Sequence, residues 1–471
     1  MQNFGCRATQ ADGTAIEGQL ADLGLERAPS SATADVVVVN TCTVTAAADQ
    51  DARAAIRRIH RANPHCEILV TGCYAQRAPE EVAALPGVAR VIGNSHKHLL
   101  GEIAAAHSVV LAERQAAFVP LSALAARNRE VEFATAPQDS QRLFVSDIFA
   151  HTELLAAPVF EAQGERTRPN LKVQDGCDNR CSFCIIPSVR GHSRSLSLEE
   201  TLRQINKLVE AGYREVVISG INLGRWGRDL PVWGGRPRPP EFEDLVRSIL
   251  DMTALQKLRL SSIEPMDWSD ELIELMARSS RIARHAHVPM QSGSDRVLRL
   301  MHRKYRPWHY CEKIEKIRAA MPEAAIGADV MVGFPGEGDA DFEATRRLIE
   351  DLPLTYLHVF TYSARPGTPA AAMNGQVPER IAHERSRVLR ELGSRKKTVF
   401  MRSFIGREVE AITLSSSRAG DDVSCAAVCT EALTDNYLKL SLRGDFEANR
   451  WIAARVEDLR EGVLLGTAVR F

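Results

Sequence analysis

Six apolar runs recur between residues 166 and 397, separated by stretches of helical periodicity, and this alternation restricts the fold more than any other feature of the chain. The runs are NLKVQDGC (170–177), REVVISGIN (214–222), KLRLSSIEP (257–265), HAHVPMQSG (285–293), AIGADVMVGF (325–334) and YLHVFTYS (356–363). Amphipathic stretches such as SLEETLRQINKLVEAG (197–212) and DADFEATRRLIEDL (339–352) lie between them. Strands that alternate with helices pair in parallel, because each helix carries the chain back across the sheet before the next strand begins. Six such units predict a TIM-like partial (β/α)6 barrel. Barrels of this kind collect chemistry on the loops at the C-terminal ends of their strands.

The segment DGCDNRCSFC (175–184) follows the first of these strands directly, which places its cysteines at that mouth. Cys177, Cys181 and Cys184 are spaced C-x₃-C-x₂-C. A closed zinc site takes four ligands, for which His192 is the nearest extra candidate, but zinc ligands usually come as separated pairs. Three thiolates in one tight loop suit three corners of a 4Fe–4S cube instead. The fourth iron then stays open to a substrate, and a small chelator with an amine and a carboxylate would fill it.

The first 110 residues also alternate strand and helix. ADVVVVNTC (34–42) is a short β-branched run, AAADQDARAAIRRIHRA (46–62) is helical, and CEILVTGC (66–73) is a second strand. This βαβ unit predicts a doubly wound parallel sheet. MQNFGC resembles the tail of an earlier strand, which is either unusually short or begins upstream of Met1. Cys6, Cys42 and Cys73 each close a strand, so a parallel sheet should deliver all three to one edge as a metal site. Cys66 opens its strand instead, and at ~3.3 Å per residue it lies roughly 20 Å from Cys73, which excludes it.

Residues 111–165 are Ala-rich and interrupted by Pro, and are expected to form a linker. Beyond 398 the pattern changes to short strands with polar turns (REVEAITL, VSCAAVCTEAL, NYLKLSLRG, ARVEDLREGVLLGTAVRF), which predicts a small β-barrel of the kind that binds oligonucleotides. There Tyr437 is a candidate for base stacking, and Lys439 and Arg443 for phosphates. Cys425 and Cys429 lie four apart on one predicted strand and are expected to pack. Arg190, Arg194, Arg303 and Lys304 could extend a basic path toward the mouth. A net charge of −1 across 471 residues means that any nucleic-acid surface must be local. No apolar run reaches the ~18–20 residues that span a bilayer, and the N-terminus lacks the build of a signal peptide. A cytoplasmic location is therefore expected, without membrane contact, where the ten cysteines stay reduced.

With Phe183 before its last cysteine, the loop resembles the signature of the radical S-adenosylmethionine superfamily. NTCTVT (40–45), GCYAQ (72–76), LKVQDGCDNRCSFCIIPSVRGHSRS (171–195), SGINLGRWG (219–227), LRLSSIEP (258–265), HVPMQSGSDRVLRLMHRKY (287–305), GADVMVGFPGE (327–337) and FTYSARPGTPAA (360–371) extend that likeness to the methylthiotransferases, and most to the branch named MtaB. Thr9 departs from the family's usual Asn. The resemblance implies an N-terminal methylthiotransferase domain (1–110), the linker (111–165), a radical SAM domain (166–397) and a TRAM RNA-binding barrel (398–471). It implies an auxiliary 4Fe–4S cluster on Cys6, Cys42 and Cys73, a catalytic one on Cys177, Cys181 and Cys184, and two molecules of S-adenosylmethionine per turnover. Phe183, Ser219, Gly220, Asn222, Ser262, Glu264 and Gln291 would contact that cofactor. The implied substrate is threonylcarbamoyladenosine beside the tRNA anticodon, methylthiolated at carbon 2 by a monomer that draws electrons from a flavodoxin- or ferredoxin-type donor. Rival substrates are isopentenyl-adenosine tRNA and a ribosomal protein. A rival of another class is a non-catalytic iron–sulfur protein that binds RNA.

Overall fold

The computed structural model describes residues 1–105, 142–151, 154, 167–232, 238–414 and 429–470. Most of the expected linker and Cys425 lie outside them. The chain divides into two compact units, Met1–Pro158 with Ile185–His192, and Val159–Cys184 with Ser193–Phe471.

The first unit is built on a parallel sheet of five strands in chain order: β1 (Gln2–Asn3), β2 (Val36–Thr41), β3 (Glu67–Gly72), β4 (Val88–Ile92) and β5 (Leu143–Phe144). Because side chains alternate across a strand, Val37 and Val39 share one face with Ile68 and Val70. That face packs on Ala52, Ile56 and Ile59 of helix Ala46–Ala62. Val38, Leu69 and Ile92 point the other way, onto Ile16 of helix Arg7–Asp22 and onto Leu100. Helices thus cover both faces, as the βαβ pattern predicts. Thr45 starts helix Ala46–Ala62 by accepting the Ala48 amide at 3.2 Å.

Helix Ile186–Arg190 belongs to this same unit. Arg190 is 1% exposed and pairs with Asp12 at 3.0 Å, and Lys97 reaches the same carboxylate oxygen at 2.9 Å. Arg190 is therefore a buried partner and not part of a basic surface path. Two cations share one buried carboxylate here, so removing Asp12 would take that counter-charge from both.

The second unit contains the six predicted strands in order: β6 (Asn170–Asp175), β8 (Glu215–Gly220), β9 (Lys257–Leu260), β10 (His285–His287), β11 (Ala325–Val332) and β12 (Tyr356–Thr361). A short strand that the pattern did not reveal, β7 (Arg194–Ser195), pairs antiparallel with β6. The β6–β8–β9 and β10–β11–β12 groups meet where Leu258 bridges Ile282 in parallel and its amide bonds to Arg281 O at 2.7 Å. One hydrophobic cluster fills the layer between these strands and the surrounding helices.

Five strands then close a barrel: β13 (Glu408–Thr413), β14 (Cys429–Thr434), β15 (Lys439–Arg443), β17 (Val463–Arg470) and β16 (Trp451–Arg460), neighbours in that order. All pairings but one are antiparallel, β15 and β17 running parallel. The turn after β14 docks on the N-terminal ends of the central strands. Fully buried Arg259 donates to Asp435 O at 3.0 Å and to Thr434 O at 3.4 Å, and its Nε reaches Glu215 at 2.7 Å. Among the described residues no helix is long and apolar enough to cross a membrane.

Candidate cluster and cofactor sites

Parallel pairing places Cys6, Cys42 and Cys73 just beyond β1, β2 and β3, at one edge of the first sheet. Two glycines permit this approach. Gly5 has φ +115°, and a Cβ there would lie 2.4 Å from Cys42 Cβ; Gly72 has φ +100°, and its Cβ would lie 2.3 Å from Thr41 O. Each thiol has a polar neighbour. The Val44 amide donates to Cys42 at 3.5 Å, Asn94 Nδ2 donates to Cys73 at 3.5 Å, and Cys6 lies 3.6 Å from Thr9 Oγ1. Thr9, the family departure, is fully buried and supplies that contact while its carbonyl accepts Asn40 Nδ2 at 2.7 Å. Burial, then the nearby sulfurs of Cys73 and Cys6, push the Cys42 thiol up to about 12. Three converging thiols suit a cationic metal group, and N–H donors aimed at sulfur are the usual surroundings of an iron–sulfur cluster. Cys66 is buried in the apolar core of this unit, away from the strand-end thiols, as its position predicts.

The second cysteine loop leaves β6 through Gly176. The Asn179 amide donates to Cys177 at 3.4 Å, Asn222 Nδ2 lies 3.7 Å from the same sulfur, and Arg303 donates to Cys181 at 3.3 Å. Burial pushes Cys177 up as well. Phe183 anchors the loop by an edge-to-face contact with Phe334, centroids 6.5 Å apart. His192, the alternative zinc ligand, belongs to the first unit and sets its ring against Phe149 at 5.2 Å.

Around this loop stand the ends of the next strands. Ser219 closes β8 beside Gly220, and Asn222 follows, its amide held by Gln174 Oε1 at 2.7 Å. Ser219 Oγ, Asn222 Oδ1 and Ser261 Oγ are buried without a hydrogen-bond partner. An unpaired buried polar atom is costly, and a ligand carrying an amine and a carboxylate would complete these three. Ser262 and Glu264 follow β9. Burial pushes Glu264 up against the opposing charge of Arg303, although a quarter of its side chain stays exposed. The partner that a buried carboxylate requires is thus Arg303, which ties Glu264 to Cys181 and is buried there instead of extending a basic path toward the mouth. Gln291 sits at φ +61°, its backbone bonded to Asp329 O and to the Met331 amide at 2.8 Å each. A non-glycine residue held there is the kind of strain that functional loops store.

Facing inward along the central strands is a row of polar side chains that the apolar runs concealed. Lys172 and Gln174, Glu215 and Ser219, Lys257, Arg259 and Ser261, His285 and His287, Asp329, and Tyr356 and His358 recur at alternate positions. The available signal was this period of two inside segments that otherwise resemble fully buried strands.

Tyr437 is not an open stacking platform. Its ring packs on His285 at 4.8 Å and under Arg259 at 5.4 Å, in the turn that docks the small barrel. Lys439 and Arg443 are exposed. All three line a cavity of about 770 Å³ at the base of the central barrel, shared with Arg168, Tyr356 and His358.

Two family models match the chain, one described as the radical SAM superfamily over residues 171–349 and one as uncharacterized protein family UPF0004 over residues 1–93. The threonylcarbamoyladenosine tRNA methylthiotransferase MtaB of Bacillus subtilis (strain 168) is 36% identical over 94% of this chain and 89% of its own length. The protein of the same name from Rickettsia prowazekii (strain Madrid E) is 37% identical over 98% and 95%. The tRNA-2-methylthio-N(6)-dimethylallyladenosine synthase of Thermobifida fusca (strain YX) is 34% identical over 90% and 79%. Among solved structures, the radical S-adenosylmethionine methyltransferase TsrM from Kitasatospora setae superposes with a TM-score of 0.55 over 76% of this chain and 73% of that one, at 15% identity. That last likeness is one of fold.

Proposed function

The chain belongs to the MtaB family of radical S-adenosylmethionine tRNA methylthiotransferases, and from that membership we propose that it adds a methylthio group to carbon 2 of N-threonylcarbamoyladenosine at position 37 of tRNA. The aromatic C–H at that carbon is too strong and too weakly acidic for a side-chain base, which is why the reaction calls for radical chemistry. When bound, two 4Fe–4S clusters and two molecules of S-adenosylmethionine per turnover supply the electron, the radical and the methylthio unit.

The residues of the chain hold and orient these groups. Cys6, Cys42 and Cys73 would hold one cluster and Cys177, Cys181 and Cys184 the other, three thiolates each. Asn94, Asn222 and Arg303 donate to the sulfurs and stabilise their charge. Ser219 and Asn222 turn their unpaired oxygens to the amino-acid end of S-adenosylmethionine, with Gly220 between them. Ser262, Glu264 and Gln291 serve its sugar and base, and Phe183 keeps the cysteine loop in place. Lys439 and Arg443 meet tRNA phosphates, while Tyr437 braces the small barrel against the central one. The enzyme works in the cytoplasm as a monomer and takes electrons from a flavodoxin- or ferredoxin-type partner.

One observation carries this proposal: two sets of three thiols, both at the C-terminal ends of parallel strands and both supplied with N–H donors. Nucleoside mass spectrometry of tRNA from a deletion strain tests it. The methylthio form of threonylcarbamoyladenosine should vanish, and return with the wild-type gene but not with Cys6→Ala or Cys177→Ala. Loss of the methylthio group from isopentenyl-adenosine instead would transfer the chain's substrate to that of its Thermobifida relative. Absence of 5′-deoxyadenosine from reduced, reconstituted protein would end the enzyme assignment.

A further inference from the structure

The lumen of the central barrel holds another set of metal-ligand side chains besides the six strand-end cysteines, and we propose that His287, Asp329 and His358 bind a divalent first-row transition ion of the zinc class. The three side chains are brought together by register. Asp329 on β11 is the direct neighbour of His358 on β12, and His287 on β10 pairs with Gly327, two residues before Asp329. One ligand atom from each lies within 4.8 Å of the other two. Asp329 Oδ1 is 3.0 Å from His287 Nε2 and 3.3 Å from His358 Nδ1. Two ligands bound at ~2.1 Å to a common ion stand about 3.0 Å apart at a right angle and about 3.4 Å apart in a tetrahedron. Two neutral imidazoles with one carboxylate are a donor set for zinc and its neighbours, not for calcium or magnesium.

Two further observations separate an ion site from a simple hydrogen-bonded triad. His287 Nε2 is buried and makes no hydrogen bond, although Asp329 Oδ1 is close, so the ring nitrogen does not aim at the oxygen. An atom between them would account for closeness without alignment. The other ring nitrogen of His287 lies 3.0 Å from Tyr356 Oη, and that hydroxyl lies 2.7 Å from His285 Nε2. With Nδ1–H donating to Tyr356, and Tyr356 donating to His285, the tautomer of His287 leaves Nε2 as a lone pair. This is the outer-shell arrangement that ligating histidines ordinarily have. Access exists from below: His358 is half exposed and lines the basal cavity of about 770 Å³, which can admit an ion and the waters that complete its coordination.

Cysteine sites also take up zinc, so the probe is Co²⁺ titrated into full-length, anaerobically purified protein with its clusters loaded. The expected result is a single added equivalent with the ligand-field spectrum of nitrogen and oxygen donors and no thiolate-to-cobalt charge transfer. Asp329→Asn and His358→Ala should weaken it by about 100-fold or more, and Tyr356→Phe by roughly 10- to 100-fold, with iron and sulfide contents unchanged. His358 is open to solvent, so its replacement tests the site without emptying a packed core. Retention of wild-type Co²⁺ affinity in both ligand variants, a thiolate spectrum, or no binding by the wild type at micromolar Co²⁺ would overturn the proposal.

Discussion

At the scale of single residues, charge in the dark is the recurring theme. Cys42 combines burial with two neighbouring sulfurs, and its thiol is pushed from 9.0 to about 12. A group whose pKa is higher in the folded than in the unfolded state stabilises the fold below the unfolded value and withdraws that support as pH rises. Protein stripped of its clusters should therefore lose stability between about pH 9 and about 12, and Cys42→Ala should lose less across the same window; urea unfolding at stepped pH measures the difference. Cys6 is exposed whereas Cys42 and Cys73 are buried, so alkylation of that stripped protein should begin at Cys6. Arg303 shows the same economy at the other loop, since one guanidinium serves both the Glu264 carboxylate and the Cys181 sulfur.

At the scale of elements, the decisive features are the ends of parallel strands. β3 ends at Gly72, and helix Cys73–Arg77 starts on the next residue, so the turn has no slack. A methyl group at Gly72 would meet backbone, at 2.3 Å from Thr41 O and 2.6 Å from Thr41 N, in a left-handed conformation. Gly72→Ala should cost about 1–3 kcal/mol and move Cys73 out of place, so that iron content falls by about half while the second loop keeps its share. Iron and sulfide analysis, with and without the added Cys177→Ala change, distinguishes loss of one cluster from loss of both. The central strands carry the complementary feature: an outer face of Val, Ile and Leu for the helices and an inner face of charged and hydrogen-bonding groups. A closed TIM barrel fills its interior with apolar layers, whereas this open one lines a polar lumen.

At the scale of the whole molecule, the small C-terminal barrel is fixed to the base of the central barrel through main-chain acceptors on a turn. Arg259 is the centre of that contact, reaching Glu215, Thr434 and Asp435 together from a fully buried position. Arg259→Met should destabilise the unit by roughly 3–5 kcal/mol, because among the described residues it leaves the buried Glu215 carboxylate to the more distant Arg168. Limited proteolysis should then cut near residues 403–408, and resistance equal to wild type would argue against this anchoring role. For the assembled enzyme, tRNA affinity led by phosphate contacts should fall linearly in log K against log salt. A flat response in filter binding would remove Lys439 and Arg443 from the interface.

What the amino-acid sequence determined by itself is local and periodic. The six central strands, the helices between them, a small C-terminal β-barrel and the strand-end cysteines were all readable, because a period of two or 3.6, a β-branched run and a turn residue act over a few positions. Tertiary structure alone decided the partnerships. Arg190 and Asp12 are 178 positions apart, Arg259 and Asp435 are 176 apart, and His287, Asp329 and His358 come from three separate strands. A buried charge seeks whichever opposite charge the packed chain brings near it, and no local pattern carries that address.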